Sequence, residues 1–443
     1  MSSSRRNFLQ AAALTPAAGL SQVVSPNDKI RFATIGIGGM GTGDTESALQ
    51  TGLTEMVAVA DIYQGRLDRA KERFGNHLYA TRDYRQVLAR KDIDAVIIAT
   101  PDHWHARIAT EALAAGKDVY VEKPMVQKVE DGIALVAAAK ASGRILQVGS
   151  QRVSSVVYAK AKELLESGAI GELNLVEAWW DRNSAIGAWQ YSIPPDATPA
   201  NIDWDQFLGA APKRPFEPMR LFRWRNYQDY GTGVAGDLFV HLFSGMHFIT
   251  GAQGPSRVYA TGGLRYWKDG RDVPDVMLGM YDYPSRGKMP AFNLALRVNF
   301  VNGAGETSGF RFVGSEGILT VDGGVTVNRV TRETEPGYTI GTFTKKVQAE
   351  FLRTYGEKYP PLRPSMDAMR PTGQEVFRPE RGYSDHLDHH RNFFRAVKSR
   401  KPVVEDARFG LQAAGPALLS NRSVFEKKAF TWDAETFTAR AIG

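Results

Sequence analysis

The chain has 443 residues, enough for two or three domains, and its 43% hydrophobic and 23% charged residues are those of an ordinary globular protein. It contains no cysteine, which excludes disulfides, thiolate catalysis and cysteine-ligated metals. The net charge is +7, but the 55 basic residues are scattered among 48 acidic ones without a basic block, so we expect no nucleic-acid partner. We also expect no membrane anchor, because no internal stretch reaches the roughly 18 to 20 apolar residues of a membrane helix.

The first residues resemble an export signal. The stretch SRRNFLQ places Arg5 and Arg6 before an alanine-rich apolar run that Thr15 and Pro16 interrupt. This pattern is typical of a twin-arginine signal, whose pathway transports proteins that are already folded. We expect 1–27 to be this signal and the protein to be periplasmic or otherwise exported. The alternative is a disordered, mildly basic N-terminus.

From residue 28 to residue 150 the sequence alternates short β-branched runs with helical periods. The runs IRFATIGIG, MVAVADI, DAVIIAT, DVYVEKP and RILQVGS are typical of strands, and segments such as GRLDRAKERFG and HARIATEALAAGK are typical of helices. Such alternation predicts βα units and a parallel sheet. The protein is therefore assigned to the α/β class, with 28–150 as its first domain.

The pattern changes after Gln151. A helical segment, YAKAKELLESGAIG, leads into a Pro- and Trp-rich passage over 184–230. The later runs SRVYATGG, NLALRVNF, TSGFRFVG and GILTVDGG predict an open, mostly antiparallel sheet, so 151–443 forms a second, α+β domain. Within it, 333–380 shows little periodicity and is predicted to be an extended surface insertion. The segment 384–430 is predicted to be a helical tail.

The stretch GIGGMG, residues 36–41, follows the first predicted strand and precedes a predicted helix. It fits the G-x-G-x-x-G pattern, in which glycines permit a tight turn and let the backbone approach a pyrophosphate at a helix N-terminus. Asp61 ends the next predicted strand, where a carboxylate can bind both ribose hydroxyls of NAD and repel the 2′-phosphate of NADP. No arginine follows Asp61 directly, so 28–150 is predicted to be a Rossmann domain that binds NAD. The alternative is a glycine turn that only packs a helix on a strand.

Three further motifs point to catalysis. ATPDHWH, residues 99–105, and VEKP, residues 121–124, each follow a predicted strand, at the edge where an open α/β sheet binds its ligand. GDLFVH carries Asp237 and His241 four residues apart, on one face if the segment is helical. Histidine is the natural base for oxidation of a secondary alcohol near neutral pH, and Lys123 can stabilise the developing alkoxide.

Each of these residues also has a structural interpretation. A histidine in an apolar stretch, such as His241, is more often a core residue whose hydrogen bonds are made within the protein. Lys123 can be a surface lysine, and Asp237 can cap a helix. The stretch DHLDHH, residues 385–390, contains several potential metal ligands, but it belongs to an amphipathic helix. We therefore expect no metal there.

The order GxGxxG, acidic residue, TPxxxH, EKP and DxxxH resembles the Gfo/Idh/MocA family of NAD(P)-dependent sugar and cyclitol oxidoreductases, in its exported twin-arginine branch. The resemblance covers nearly the whole chain from Lys29. It implies an N-terminal Rossmann domain and a C-terminal α/β domain whose open sheet forms the substrate cleft and often an oligomer interface. It further implies NAD as the cofactor, a small-molecule carbohydrate as the substrate and a homo-oligomer, either a dimer or a tetramer.

The resemblance also implies roles for individual residues. Lys123 would contact the nicotinamide ribose and the substrate hydroxyl, Asp237 would bind substrate or orient the base, and His241 would take the hydroxyl proton. The predicted cofactor-binding residues are Gly36, Gly38, Gly39, Met40, Gly41, Asp61, Thr100, Asp102, Trp104, His105, Glu122, Lys123 and Gln151. The predicted substrate-binding residues are Lys123, Trp180, Arg182, Asp237 and His241. An aromatic ring such as that of Trp180 suits the apolar face of a sugar.

The sequence departs from the family pattern at several positions. Phe239 and Ser244 stand where the family commonly has a glycine and an acidic residue around the catalytic histidine. Asp102 stands where asparagine is frequent, and the same motif adds His103 and Trp104. We interpret His103 as structural or exposed and Trp104 as lining the cleft. These departures concern the details of the substrate contacts.

Three functions fit these residues. The first is an exported NAD-dependent oxidation of a sugar or cyclitol hydroxyl, with a tightly bound cofactor that is recycled in place. The second is a redox-neutral glycoside hydrolysis or elimination through a 3-keto intermediate. That branch of the family often has twin-arginine signals, but its signature lacks the EKP lysine present here. The third is a non-catalytic sugar-binding protein, against which the intact Lys123, Asp237 and His241 argue.

Overall fold

The computed structural model describes residues 28–330, 339–360 and 374–442. The predicted export signal, 1–27, lies outside these residues, and so do two parts of the predicted insertion, 333–338 and 361–373. Within the described ranges, none of the helices is both long enough and apolar enough to cross a membrane.

The N-terminal domain is a parallel sheet between helices. Its strands are β1 (Ile30–Ile35), β2 (Thr54–Ala60), β3 (Tyr79–Thr81), β4 (Ala95–Ile98), β5 (Asp118–Val121) and β6 (Leu146–Val148). Its helices are α1 (Gly39–Gln50), α2 (Gln64–Phe74), α3 (Tyr84–Leu88), α4 (Asp102–Ala114) and α5 (Val129–Ser142). The strand order is β3-β2-β1-β4-β5-β6, so the direction of winding reverses between β1 and β4 and a crevice opens at their carboxyl ends. The predicted Rossmann fold is confirmed.

The burial of the strands explains why the sequence pattern predicts them. All four residues of β4 and all four of β5 are buried, because helices cover both faces of the parallel sheet. Such strands appear in the sequence as continuous apolar runs rather than as alternating ones. The result is a rigid sheet whose carboxyl edge presents the loops after β1, β2, β4 and β5 to one crevice.

The second domain surrounds a larger sheet. Its helices are α6 (Val156–Glu166), α7 (Trp204–Leu208), α8 (Pro218–Phe222), α9 (Val240–Thr250), α10 (Lys345–Lys358), α11 (Asp385–Ser399) and α12 (Ala407–Glu426). Its strands are β7 (Leu173–Asp181), β8 (Arg257–Gly263), β9 (Val276–Tyr283), β10 (Phe292–Asn299), β11 (Thr307–Gly314), β12 (Gly317–Val321), β13 (Val325–Arg329), β14 (Gln374–Phe377), β15 (Ala429–Asp433) and β16 (Thr438–Ile442). Short turns of 3-10 helix span Gln151–Ser154, Trp224–Asn226 and Ile340–Thr342, and a π-helical turn, Ala235–Phe239, leads directly into α9.

The ten strands lie in the order β14-β13-β12-β11-β7-β10-β9-β8-β15-β16. Only β7 and β10 pair in parallel, and the other neighbours are antiparallel. Buried residues alternate with more exposed ones along β9, because α6 and α12 cover one face of the sheet and the other face is open. The predicted open, mostly antiparallel sheet is confirmed.

Helix α11 packs differently from the expectation that grouped it with the second domain. Its Phe393 and Phe394 are buried in one cluster with Phe32 of β1, and the ring centroids of Phe32 and Phe394 are 5.9 Å apart. The chain therefore returns to the Rossmann sheet after completing most of the second domain. An amphipathic helix shows which of its faces is apolar, but the sequence does not show which sheet that face covers.

The insertion over 333–380 also contains more regular structure than its sequence indicates. Helix α10 has no buried residue and carries an ion pair between Arg353 and Glu357, with Nη1 2.7 Å from Oε1. Strand β14 pairs with β13 at the edge of the large sheet. Val347, Phe351 and Leu352 of α10 are exposed, so this helix forms without burying an apolar face.

Candidate active site

One cavity of about 680 Å³ joins the carboxyl edge of the Rossmann sheet to the second domain. It lies at the reversal point between β1 and β4, where open α/β sheets bind their ligands. Of the residues that the sequence analysis assigns to the cofactor and the substrate, all line this cavity except Gly41. We call the part beside β1 and β2 the nucleotide end, and the part beside β7 and α9 the substrate end.

The glycine loop forms the wall of the nucleotide end. Gly36 has a φ of +87°, and a Cβ there would lie 2.7 Å from the carbonyl oxygen of Ala99. A Cβ on Gly41 would collide with the carbonyl oxygen of Gly36, so Gly41 lets α1 pack against the loop from behind. The loop ends at the N-terminus of α1, where Gly38 and Gly39 leave backbone N–H groups open to an anion. This cradle fits the pyrophosphate of a dinucleotide.

Asp61 is buried at the end of β2. Its Oδ2 accepts a hydrogen bond from the Ile37 N–H and its Oδ1 accepts one from the Tyr63 N–H, both at 3.0 Å. No arginine directly follows Asp61 in the sequence, but the first turn of α2 brings Arg66 back to it. The Arg66 Nη1 lies 3.6 Å from the Asp61 Oδ2. The ribose position therefore faces both a carboxylate and a guanidinium, the second of which the sequence reasoning missed.

Thr100 and His105 form the floor between the two ends. The Thr100 Oγ1 is buried and has no hydrogen-bond partner in the described part of the chain, so it leaves a donor and an acceptor for a ligand. The His105 Nδ1 is 2.8 Å from the carbonyl oxygen of Pro124, and its Nε2 is 2.8 Å from that of Thr100. Burial lowers the pKa of His105 to about 4. His105 thus joins two loops of the site and presents no ring nitrogen to the cavity.

The remaining residues of the same motif have distinct environments. The Trp104 Nε1 donates to the carbonyl oxygen of Phe207 at 2.9 Å, and the His103 Nε2 lies 2.8 Å from that same oxygen. Both side chains therefore anchor α4 to the second domain. Asp102 accepts a 2.6 Å hydrogen bond from the Thr232 hydroxyl, and burial raises the pKa of Asp102 to about 7.

Glu122 and Gln151 support the backbone at Lys123. The Gln151 Nε2 donates to the Glu122 Oε1 at 2.7 Å and to the Tyr120 hydroxyl at 3.1 Å. The Glu122 Oε2 accepts from the Lys123 N–H at 3.3 Å. Burial raises the pKa of Glu122 to about 7, although the charge of Lys123 opposes this shift. These contacts fix the direction in which Lys123 leaves the sheet.

Lys123 and Asp237 meet across the two domains. The Lys123 Nζ donates to the Asp237 Oδ1 at 2.9 Å and to the Asp237 backbone oxygen at 2.8 Å. The Arg225 Nε donates to the same Oδ1 at 3.1 Å. Burial alone would raise the pKa of Asp237, but the charges of Lys123 and Arg225 outweigh it and hold that pKa well below its usual range. Asp237 is therefore an ionised carboxylate that fixes two cations.

His241 completes the substrate end. It follows Asp237 by four residues, and the π-helical turn places both side chains on the cavity. The ring centroids of His241 and Trp180 are 5.1 Å apart, and the His241 Nδ1 has no hydrogen-bond partner among the described residues. Burial, and then the charges of Lys123 and Arg152, lower the pKa of His241 well below its ordinary value. The imidazole is therefore neutral at physiological pH and able to accept a proton.

Several cavity residues have no counterpart among the sequence predictions. Arg225 comes from a short 3-10 turn in the Trp-rich passage, where no motif marks it. In the sequence, only the position of Arg152 directly after Gln151 indicates that Arg152 belongs to the site. Its Cζ lies 4.2 Å from the ring centroid of Trp180.

The histidines of DHLDHH contact backbone and side-chain atoms. The His389 Nδ1 is 2.8 Å from the Ser154 hydroxyl, and its Nε2 is 2.9 Å from the carbonyl oxygen of Val148. The His390 Nε2 lies 3.6 Å from the Asp44 Oδ1. In the ranges that the structure describes, no three histidine, aspartate or glutamate side chains are grouped to hold a metal ion.

The fold and the cavity define a two-domain protein of the dinucleotide-binding oxidoreductase class. Residues 30–150 match the family model of the Gfo/Idh/MocA oxidoreductases described as the NAD-binding Rossmann fold. Residues 179–261 match the model of the C-terminal alpha/beta domain of the same family. Both domains of the chain thus match models of the Gfo/Idh/MocA oxidoreductase family, and the first domain is an NAD-binding domain.

Curated relatives resemble part of the chain. Inositol 2-dehydrogenase 1 of Saccharopolyspora erythraea is 34% identical over 150 residues, which are 33% of this chain and 44% of that protein. A glycosyl hydrolase family 109 protein of Shewanella baltica is 31% identical over 205 residues, 38% of this chain and 44% of that protein. The chain thus spans less than half the length of these relatives. A solved structure, a levoglucosan dehydrogenase in complex with NADH, has the same fold, with a TM-score of 0.63, 20% identity and coverage of 94% of this chain and 99% of that one.

Proposed function

We propose that this protein is an NAD-dependent oxidoreductase that oxidises a secondary hydroxyl of a sugar or cyclitol. The observation that carries the proposal is the contact between the Lys123 Nζ and the Asp237 Oδ1 at 2.9 Å, beside a neutral His241, in the same cavity as the glycine loop. The inositol 2-dehydrogenase relative supports the substrate class. Bound NAD would supply the hydride acceptor.

The side chains divide the work on the substrate. His241 takes the hydroxyl proton, because its lowered pKa keeps the imidazole neutral and its Nδ1 has no other partner in the described structure. The ammonium group of Lys123 stabilises the alkoxide that forms as this proton leaves. Asp237 holds Lys123 in place from the opposite domain. Trp180 offers an aromatic surface to the apolar face of the ring.

The residues that line the cavity fit NAD as the cofactor. Gly36, Gly38 and the N-terminus of α1 would hold the pyrophosphate, and Asp61 would accept hydrogen bonds from the adenosine ribose hydroxyls. The Thr100 hydroxyl, which has no partner in the described structure, and Lys123 lie further along the cavity, towards the nicotinamide position.

The export signal proposed for 1–27 constrains how the protein obtains its cofactor, because NAD is scarce outside the cytoplasm. The protein would fold around NAD, cross the membrane with it and recycle it in place.

A second candidate is redox-neutral hydrolysis or elimination of a glycoside through a 3-keto intermediate. The match to a glycosyl hydrolase family 109 protein favours it, and the same base and lysine serve its oxidation step. A cofactor that returns its hydride would also need no external exchange. Asp102, with its pKa raised to about 7, is a further proton carrier near the substrate end.

One assay separates the candidates. The purified full-length protein, loaded with NAD, is screened on sugars, cyclitols and aryl glycosides while NADH and released aglycone are followed together. A dehydrogenase accumulates NADH, whereas the redox-neutral enzyme releases aglycone without net NADH. Lys123→Ala and His241→Ala should lower turnover by about 100-fold or more in either case, and His77→Ala, at an exposed position, serves as a control. Full activity of both cavity variants would remove the site assignment.

The proposal of export has its own test. Replacing the arginine pair by Arg5→Lys and Arg6→Lys leaves the charge of the segment unchanged but removes the twin-arginine signal. The variant should remain in the cytoplasm, whereas the unchanged chain reaches the periplasm. Equal distribution of both proteins between the two fractions would contradict export by this pathway.

A homo-oligomer, a dimer or a tetramer, is also part of the proposal. The open face of the large sheet exposes Tyr259, Leu278 and Met280, and an exposed apolar face of this kind is typical of an interface. Met280→Glu should shift the molecular mass measured by light scattering to that of a smaller species. An unchanged mass would place the interface elsewhere, and a monomeric parent protein would refute the oligomer.

A further inference from the structure

The substrate end of the cavity contains more positive than negative charge. Its cationic side chains are Lys123, Arg152, Arg182 and Arg225, and its acidic ones are Asp102, Glu122 and Asp237. Of the acids, only Asp237 has its pKa held well below the usual range, while the pKa values of Asp102 and Glu122 are raised to about 7. The carboxylate charge at this end is therefore too small to balance the four cations at neutral pH.

Two of these cations are already paired, and two are not. Lys123 and Arg225 share the Oδ1 of Asp237, at 2.9 and 3.1 Å. Arg152 and Arg182 have no carboxylate within ion-pair distance in the part of the chain that the structure describes. Glu306 interacts with Arg182 only at longer range and accepts hydrogen bonds from the Ser184 hydroxyl and the Asn183 N–H.

Asp385 likewise acts on Arg152 without forming an ion pair with it. It influences Arg152 at longer range, but its Oδ1 contacts the His386 Nδ1 at 3.0 Å. Neither Asp385 nor Glu306 lines the cavity. Among the described residues that line the substrate end, Asp237 acts on Arg182 at longer range but forms its ion pairs with Lys123 and Arg225, so neither Arg152 nor Arg182 has an ion-paired carboxylate there.

The contacts that Arg152 and Arg182 do make hold them in place without using most of their donors. The Arg152 Nη1 donates to the Ser308 hydroxyl at 3.4 Å, and its Cζ lies 4.2 Å from the Trp180 ring centroid. The Arg182 Nη1 donates to the carbonyl oxygen of Gly187 at 2.8 Å. A guanidinium has five N–H donors in a planar fork that matches carboxylate and phosphate oxygens.

These observations point to the ligand's charge. We propose that the substrate is a sugar that carries an anionic group, a carboxylate or a phosphate, which Arg152 and Arg182 bind. Trp180 contacts both Arg152 and His241, so the anion-binding group and the base belong to one subsite. The inference rests on the proposed function, because it names the substrate class of the same site.

The cofactor does not account for these arginines. The cradle for its pyrophosphate is formed by Gly36, Gly38 and the N-terminus of α1, at the opposite end, where Arg66 is the nearby cation. Arg182 instead directly follows β7 of the second domain, two residues after Trp180. Loss of Arg182 should therefore leave NAD binding unchanged.

The test measures binding rather than turnover. Calorimetry on the full-length, NAD-loaded protein compares a neutral methyl hexoside, the matching hexuronate and the matching hexose 6-phosphate, in the gluco, galacto and manno series. In one series an anionic sugar should bind roughly 10- to 100-fold more tightly than its neutral partner, because its charge is received by charge-assisted hydrogen bonds. This preference should weaken as salt is added. The uronate and phosphate arms identify which anion is the ligand.

Variants connect the preference to the residues. Arg182→Gln should reduce the preference for the anion at least tenfold, Arg182→Lys should retain part of it, and both should keep their NAD. Arg311→Gln is the matched control, since Arg311 is exposed and pairs with Glu177 on the large sheet. If Arg182→Gln does not fold, Arg152→Gln and the salt dependence of the unchanged protein carry the same test.

The possible outcomes separate this inference from the proposed function. Equal affinities for neutral and anionic sugars, or no binding of anionic sugars in any series, would overturn the inference. Tight, arginine-dependent binding of an anionic sugar supports it. If that bound sugar and all neutral sugars fail to transfer hydride, the proposed oxidoreductase function is refuted while the anion site stands.

Discussion

The two ends of the cavity are built in different ways. The nucleotide end consists of a continuous stretch of backbone, in which Gly36 takes a positive φ and α1 begins three residues later. The substrate end consists of side chains, with Lys123 after β5, Arg225 on a 3-10 turn and Asp237 on a π-helical turn. The first end depends on the absence of Cβ atoms, whereas the second depends on compensation between buried charges. Substitutions should therefore separate cofactor binding from chemistry.

The largest effect is expected at the substrate end. His241→Ala removes the base but leaves the glycine loop unchanged, so turnover should fall by about 100- to 10,000-fold with NAD affinity unaltered. Steady-state rates and the cofactor content of the purified variant measure the two effects. Loss of NAD together with activity would contradict the separation of the two ends.

The converse change is Gly36→Ala. Its Cβ would lie 2.7 Å from the Ala99 oxygen at a φ of +87°, so we expect a cost of about 3 kcal/mol, or roughly a 100-fold loss of NAD affinity. Gly43→Ala on α1 is the matched control, since a Cβ there meets no heavy atom within 4 Å. Fluorescence titration with NADH measures the affinity. A Gly36→Ala variant that binds as tightly as Gly43→Ala would show that the loop does not form the cofactor cradle.

Asp102 allows the charge balance of the substrate end to be tested through stability. Burial raises its folded pKa to about 7, above the unfolded value of about 3.9. The folded state therefore favours the protonated acid, and the contribution of Asp102 to stability is lost as the pH rises towards about 7.

Asparagine cannot ionise, so Asp102→Asn should gain stability relative to the unchanged protein. The gain should be about 2 to 3 kcal/mol larger at about pH 8 than at about pH 5. Denaturant unfolding at both pH values measures it, with Asp68→Asn, at an exposed position, as the control variant. A gain that is independent of pH would show that Asp102 is ionised throughout this range.

The smallest effect concerns the choice of nucleotide. Asp61→Ser leaves Arg66 facing the ribose position, so the ratio of NAD to NADP affinity should fall about tenfold or more. The double variant Asp61→Ser with Arg66→Ala should not gain NADP affinity. Titration with NADH and with NADPH measures this affinity ratio. An unchanged ratio in Asp61→Ser would show that Asp61 does not belong to the ribose site.

The sequence alone predicted those parts of the site whose residues follow a strand directly. The glycine loop, Asp61 and Lys123 belong to this group, because the end of a parallel strand has a known place at the sheet edge. Asp237 and His241 were recognisable from their spacing and from the resemblance to a family, although the π-helical turn was not.

Long-range contacts could not be predicted in the same way. Arg225 reaches Asp237 from a passage without periodicity, and Arg66 returns to Asp61 only because α2 turns back over β2. Helix α11 covers the Rossmann sheet although more than 200 residues of the chain separate the two. His105 was expected to contact the cofactor, and only the structure reveals that backbone oxygens occupy both of its ring nitrogens.

The central claim is that Lys123, Asp237 and His241 activate a substrate hydroxyl, so that the hydride on its carbinol carbon would pass directly to NAD held by the glycine loop. The most direct measurement is a single turnover of NAD-loaded protein with sugars and cyclitols deuterated at their carbinol carbons, analysed by mass spectrometry of the released nucleotide. The account predicts deuterated NADH and a keto sugar for at least one compound, and neither product with His241→Ala. If sugar and NAD are both bound but no compound transfers deuterium, the result contradicts the claim.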